Sequence, residues 1–196
     1  MGFFLKWLFT LGIWSAVIIG IITAYFAYDL PKTNNAHEVS RRPLVTFIAR
    51  DGSKISEIGN LEGKTVQVNN LPKYISHAVI ATEDRRFYSH HGIDIIGVIR
   101  ALVLNIKAGK IIQGGSTISQ QAAKNLFLTP DRTFKRKYQE LLLAFWLERK
   151  FTKNQILEIY LNIAEFGPDI YGVKHASKNI FGKNSMQINV AEGAYL

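Results

Sequence analysis

A chain of 196 residues is long enough for one domain with a sizeable core plus an appendage. It contains no cysteine, which excludes a disulfide framework and any thiolate metal site. Its 24 lysines and arginines against 15 acidic residues leave a net charge of +9 and point to an anionic partner: nucleic acid, a phosphorylated substrate or a membrane surface.

Trp7 to Tyr28, WLFTLGIWSAVIIGIITAYFAY, is a run of 22 residues without a charge. As a helix it spans roughly 33 Å, about one bilayer core. Trp7, Tyr25 and Tyr28 lie near its ends, as interfacial aromatics do. No small-x-small cleavage site follows, so the segment 1–28 reads as an uncleaved transmembrane anchor rather than a signal peptide. Lys6 flanks one end, and Lys32, Arg41 and Arg42 lie beyond the other. The charge distribution therefore does not favour sending the C-terminal part outward.

Residues 29–42, DLPKTNNAHEVSRR, are polar and aperiodic and read as a linker. Residues 43–70 alternate weakly, with Asp51-Gly52 as a turn, and predict a short hairpin or two. Beyond Leu71 the chain reads as helical. Pro72 suits a first helical position, and Ile75, Ala78, Val79 and Thr82 share one face. A second helix is predicted over about 94–108, with Ile95, Val98, Ile99, Leu102 and Ile106 in phase and Gly109 as its cap. A third follows Gly114-Gly115, with Ser116 as candidate N-cap. A fourth covers about 133–150 and a fifth 153–164, the latter opened by the capping-box pair Thr152 and Gln155. Asn189 and Glu192 open a last, very short helix, of a length that rarely holds alone. From this the chain is expected to stop inside its domain.

Three stretches carry chemistry. In ATEDRRFYSHHGID, Glu83 stands at the end of the first helix, where an apolar face meets a polar loop. A carboxylate partly removed from water there suits a general base or acid. The plainer alternative is a helix-end carboxylate paired with Arg85 or Arg86. His90 and His91 point apart as neighbours and read as turn residues making hydrogen bonds, not as metal ligands. In QGGSTISQQAAKNLF, two glycines permit a tight turn and the following helix presents free N–H groups. With Ser116, Thr117, Gln120, Gln121 and Lys124, this outlines either an anion or sugar site or simply a capped helix with a polar face. It lacks the spacing of a Walker loop. In DRTFKRKYQELLLAFWLERK, Glu140 lies one turn after Arg136 and Lys137, as a local ion pair would. From Arg100 to Lys137 eight basic residues face one acid, Asp131. A solvated face is the usual meaning of such a run. Beside a Gly-Gly turn and a membrane anchor, a phosphate-bearing lipid or an anionic bilayer is the sharper one.

Taken together, the three stretches resemble the peptidoglycan glycosyltransferases of family 51, which occur as monofunctional transglycosylases and as the first catalytic domain of class A penicillin-binding proteins. ED-x-x-F-x-x-H-x-G is matched by Glu83, Asp84, Phe87, His90 and Gly92. GGST-x-x-QQ-x-x-KN is matched by Gly114 to Thr117, Gln120, Gln121, Lys124 and Asn125. RK-x-x-E is matched by Arg136, Lys137 and Glu140. ILEIYLN, Ile156 to Asn162, and EFGPDIYGV, ending at Val173, continue the likeness, which covers about 43–196.

The resemblance implies a mainly α fold: a lysozyme-like, two-lobed glycosyltransferase domain over 43–196 with a small β element, its smaller lobe lying on the membrane. It implies polymerisation of lipid II and the growing lipid-linked glycan strand, by inverting β-1,4 transfer with release of undecaprenyl pyrophosphate. Glu83 and Glu140 are the implied catalytic residues, Glu83 as general base. Asp84, Phe87, His90, Ser116, Gln121, Lys124, Asn125, Arg132, Arg136 and Lys137 are the implied substrate-binding set, with the cations on the pyrophosphate. No cofactor is expected to be tightly bound, and a divalent cation, Mg or Mn, is expected only to stimulate. The implied location is the bacterial inner membrane, with the catalytic domain outside and cell-wall synthesis proteins as partners. No SxxK, SDN or KTG is present, so no transpeptidase half is expected. The large lobe is expected to be incomplete at Leu196. The competing readings are a lytic transglycosylase or lysozyme, which needs a glutamate but no pyrophosphate site, and a non-catalytic membrane scaffold. Nucleic-acid binding lacks a reader motif.

Overall fold

The computed structural model describes residues 2–31, 45–51, 54–58 and 65–196. It is mostly helical, with two small β hairpins. The linker expected over 29–42 lies outside the described residues from 32 onward.

Helix α1, Gly2–Ala27, is 26 residues long, predominantly apolar, and has no buried residue. It spans about 39 Å, enough to cross a bilayer. The expected hairpin forms between β1 (Val45–Ile48) and β2 (Lys54–Ile58), antiparallel, with a register shift between Phe47 and Ile48. Its anticipated turn residue Gly52 is outside the described residues. A 3-10 turn, Val68–Asn70, leads into the helical body.

Helix α2, Lys73–Glu83, buries Ile75, Ser76 and Val79. Pro72 stands one place earlier than expected, as the N-cap in extended geometry. Helix α3, Ile95–Ala108, ends at Gly109, whose φ of 64° is the left-handed cap that a glycine adopts at no steric cost. Helices α4 (Ile118–Phe127), α5 (Phe134–Lys150) and α6 (Lys153–Ile163) pack together as the centre of the core. Ile118, Ala122, Ala123, Leu143, Ala144, Leu147, Ile156, Leu157 and Leu161 are at most 2% exposed there. Each large aliphatic side chain so buried contributes about 1.5–3 kcal/mol. The β3 (Glu165–Gly167) and β4 (Ile170–Tyr171) hairpin and helix α7 (Val173–Phe181) follow, none of them anticipated from the pattern. Helix α8, Val190–Tyr195, is opened by the Asn189/Glu192 capping box. Its Gly193 lies so close to α2 that a Cβ there would sit 3.1 Å from the Tyr74 ring.

One local reading is corrected, and the surroundings of one predicted helix face are found. The N-cap of α4 is Thr117, not Ser116. The Thr117 side chain accepts from the backbone N–H of Gln120, and the Gln120 side chain returns the bond, a complete capping box. The in-phase apolar face of α3 is not a core face. Gly97 and Ala101 are the buried residues of this helix, and small side chains make its contact with the body. Ile95, Ile99, Leu102 and Ile106 are 67%, 56%, 57% and 71% exposed. Ile111 and Ile112, just past the helix, extend that surface.

Helix α1 does not float free of the body. Phe26 packs on Phe134 and Tyr138 of α5, with ring centroids 6.3 and 5.1 Å away. The hydroxyls of Thr23 and Tyr138 are 2.7 Å apart. Gln139 donates to the carbonyls of Phe26 and Asp29 near the end of α1, and Lys135 pairs with Asp29.

Candidate active site

Glu83 is the last residue of α2 and Asp84 its non-helical C-cap, and the break in helical geometry lets the two side chains face different ways. Asp84 turns inward, its side chain 2% exposed. Its carboxylate accepts from the backbone N–H of Ile118, the first residue of α4, at 3.1 Å. An anion at that position satisfies a helix donor that has no partner within the helix. Both Asp84 oxygens lie 3.0 Å from Nε2 of buried His90. A carboxylate only accepts, so Nε2 carries the hydrogen. The His90 Nδ1 has no partner among the described residues. Thr117 closes the same knot by donating to the carbonyl of Gly92 at 2.7 Å.

Glu83 turns outward and is exposed. The expected partial removal from water is therefore not supplied by the protein around it: the carboxylate sits on the rim of an open cleft. Neither arginine following it is its partner. Arg86 pairs with Asp94 at 3.2 Å, and Glu83 Oε2 instead accepts from Gln121 Nε2 at 2.7 Å. The cleft is lined by the end of α2, by Asp94, Gly97, Arg100 and Leu104, and by the loop Gln113–Thr117. At Gly115 a Cβ would lie 3.2 Å from Val98 Cγ2, so the loop approaches α3 as closely as a glycine allows.

On the far side of that loop stands α5. Lys137 donates from Nζ to Ser116 Oγ at 2.8 Å and pairs with Glu140 Oε1 at 2.5 Å. Arg136 pairs with Glu140 Oε2 at 2.6 Å and donates from Nε to the carbonyl of Asp131. Glu140 is 2% exposed and holds both cations, of which Lys137 reaches Ser116 in the loop that lines the cleft. Such a buried carboxylate would be costly without them. The local ion pair and the functional reading of this helix are thus the same arrangement.

The remaining site residues fall into three groups. Lys124, one turn along α4 from Gln121, has no ion pair among the described residues, and neither does Arg132, exposed in the loop before α5. Asn125 is half-buried beside Lys124. Phe87 is wholly buried, in a 3-10 turn with Lys153 Nζ 4.4 Å from its ring centroid. Phe87 and His90 are buried behind the loop that Asp84, a residue of the cleft lining, ties to α4. Tyr160 of α6 was not singled out from the sequence. Its hydroxyl lies 3.4 Å from Gln121 Oε1. Burial, and secondarily the charge of Glu83, hold that hydroxyl well above the usual tyrosine range. The signal that could have found it is the tyrosine inside ILEIYLN, on an otherwise aliphatic buried helix.

Each Glu140 oxygen is engaged by one cation, Arg136 or Lys137, and no cluster of three acidic or histidine side chains exists among the described residues.

The chain matches, over residues 51–196, the family described as Transglycosylase. Penicillin-binding protein 1F of Bacillus subtilis (strain 168) is 44% identical over 150 residues, which is 76% of this chain and 21% of that protein. Penicillin-binding protein 1A of Aquifex aeolicus (strain VF5) is 47% identical over 131 residues, 67% of this chain and 18% of that protein. Penicillin-binding protein 1A of Rickettsia typhi (strain ATCC VR-144 / Wilmington) is 35% identical over 197 residues, 99% of this chain and 25% of that protein. The chain thus spans a quarter or less of the length of these relatives. The family match takes in most of the chain, cleft and cation helix included, and the chain belongs to the transglycosylase family.

Proposed function

We propose that this chain is a peptidoglycan glycosyltransferase that joins lipid II units into glycan strands at a membrane. The observation that carries the reading is one cleft with an exposed carboxylate, Glu83, on its rim and, in its lining loop, Ser116 bound by Lys137, which Glu140 holds together with Arg136. A hydrolase acting on finished glycan has no use for such cations.

In the proposed reaction the acceptor's 4-hydroxyl attacks the anomeric carbon of the donor. Glu83 takes the hydroxyl proton as the new C–O bond forms. The bond from the anomeric carbon to the pyrophosphate oxygen breaks with its electron pair, and the configuration inverts. Negative charge grows on the departing undecaprenyl pyrophosphate. Lys137 and Arg136, fixed in place by Glu140, together with Lys124 and Arg132, stabilise that charge. Preorganisation matters because a cation already in position costs no reorganisation at the moment of reaction. Glu140 acts here by positioning the cations. Ser116 anchors Lys137 to the glycine loop, and Asn125 is the neighbour of Lys124 on α4.

The membrane placement rests on α1 and on α3. The exposed isoleucines and leucines of α3 are an apolar surface on the helix that walls the cleft. Immersed in lipid, they would bring the cleft to the depth at which a polyprenyl-linked donor presents its pyrophosphate. The domain is proposed to lie on the extracytoplasmic face, where peptidoglycan is assembled.

The test is polymerisation of labelled lipid II by detergent-solubilised protein, with Glu83→Gln in parallel. Glycan strands from the wild type and none from the variant support both the activity and its base. Substrate cleaved to soluble sugar, or equal activity from both proteins, overturns the reading.

A further inference from the structure

We infer that Tyr160 is a positioning residue for Glu83, acting through the side-chain amide of Gln121. The three residues come from three helices, α6, α4 and α2, and meet only in the folded chain. Gln121 Nε2 donates to Glu83 Oε2 at 2.7 Å, and Tyr160 Oη lies 3.4 Å from Gln121 Oε1.

An amide side chain has a donating end and an accepting end that are nearly the same shape. Turned one way, Gln121 offers its NH2 to the carboxylate. Turned the other, it sets its carbonyl oxygen against a carboxylate oxygen, acceptor against acceptor. The carboxylate, which only accepts, selects the first, and Tyr160 holds the far end of the amide in it. The buried tyrosine side chain keeps its hydroxyl protonated beside Glu83, and in this orientation the hydroxyl donates to Oε1. Glu83 is exposed, and Gln121 is its hydrogen-bond partner among the described residues. Without the hydroxyl the amide keeps its bond to Glu83 but loses the partner at its far end, and the carboxylate is held less firmly. With it, Oε2 is engaged and Oε1 is left to face the cleft and take a proton. Holding a reacting group in one orientation lowers the entropic part of a barrier. The effect belongs in turnover rather than in substrate affinity.

This inference rests on the reading of Glu83 as the base. The experiment uses the full chain in detergent with labelled lipid II, and compares Tyr160→Phe, Gln121→Met, the double variant and Glu83→Gln. Tyr160→Phe keeps the buried ring and removes only the hydroxyl. Its kcat is expected to fall about tenfold with KM within about twofold of the wild type. Gln121→Met keeps the length of the side chain but neither donates to Glu83 nor accepts from Tyr160 as an amide does. The double variant is expected to match Gln121→Met alone, because a relay broken in the middle has nothing left to lose at its end. A wild-type kcat in Tyr160→Phe overturns the inference, as does a double variant whose losses multiply, or a rise in KM alone. Should Tyr160→Phe fail to fold, a wild-type kcat in Gln121→Met overturns it equally. Retained turnover in Glu83→Gln removes the base reading and this inference with it. An inactive Glu83→Gln beside a fully active Tyr160→Phe removes this inference alone.

Discussion

Asp84 and His90 are locked together, with Nε2 of the histidine 3.0 Å from each carboxylate oxygen and both side chains buried. The aspartate answers two donors at once, His90 and the first N–H of α4. It thereby fixes where α2 ends and hence where Glu83 stands.

Asp84→Asn tests that knot. Asparagine has one acceptor atom for two donors. If the imidazole shifts its hydrogen to Nδ1, that hydrogen becomes a buried donor with no partner among the described residues. The expected cost is about 1–3 kcal/mol, or several degrees in the midpoint of a circular-dichroism melt in detergent, at roughly 2–4 °C per kcal/mol for a chain of this size. An unchanged midpoint would mean that the knot contributes no stability.

Glu140→Gln separates the positioning of cations from their mere presence. The substitution leaves Arg136, whose side chain is 17% exposed, without its counter-charge. A loss of about 3 kcal/mol in stability is expected. Assayed well below its melt, the variant should turn over about a hundredfold more slowly, as when a preorganised charge-stabilising group is lost. Wild-type kcat in a folded Glu140→Gln would show that the cations need no buried carboxylate.

Ile99→Ser with Leu102→Ser tests whether the exposed face of α3 meets lipid. The two side chains are 56% and 57% exposed, so the melt in detergent should shift by no more than about 0.5 kcal/mol per site. Turnover in reconstituted vesicles should drop while turnover in detergent holds. A core position would answer differently, losing about 2–5 kcal/mol when truncated. Equal turnover in vesicles and detergent would separate this face from the membrane.

Alkaline stability reports on Tyr160. Its hydroxyl is held above the usual range in the folded chain and ionises near 10.0 when unfolded. The folded state thus binds this proton more tightly. Its stabilising contribution is complete below the unfolded value and is lost as pH rises from about 10 towards the folded value. Tyr160→Phe has no proton to lose, so its urea midpoint should fall less steeply above pH 10 than that of the wild type. Parallel slopes would contradict the burial of the hydroxyl.

Much of this was legible in the sequence wherever the signal is local. Thr152 with Gln155, Asn189 with Glu192 and Gly109 each act within one helical turn, and each stands where its pattern put it. Local patterning could not tell Ser116 from Thr117 as the cap of α4, because both are hydroxyl residues after two glycines. Periodicity gave α3 its helix but not its surroundings. Lipid and protein core select the same side chains, and only the packing of Gly97 and Ala101 reveals which side meets the body. The partnership of Glu83 with Gln121 crosses 38 positions and that of Gln121 with Tyr160 crosses 39, beyond the reach of any pattern within one element. The Glu140 ion pairs, three and four residues apart, were readable as a local pair; that the carboxylate is buried was not.

Gln139 ties the last carbonyls of α1 to the helix that bears Arg136, Lys137 and Glu140. Phe26, Thr23 and Asp29 add three more bonds of different kinds between the same two elements. The anchor is therefore a ruler rather than a leash. The height of the cations along its axis is set by side chains, so a thicker or thinner hydrocarbon layer shifts anchor and cation helix as one piece.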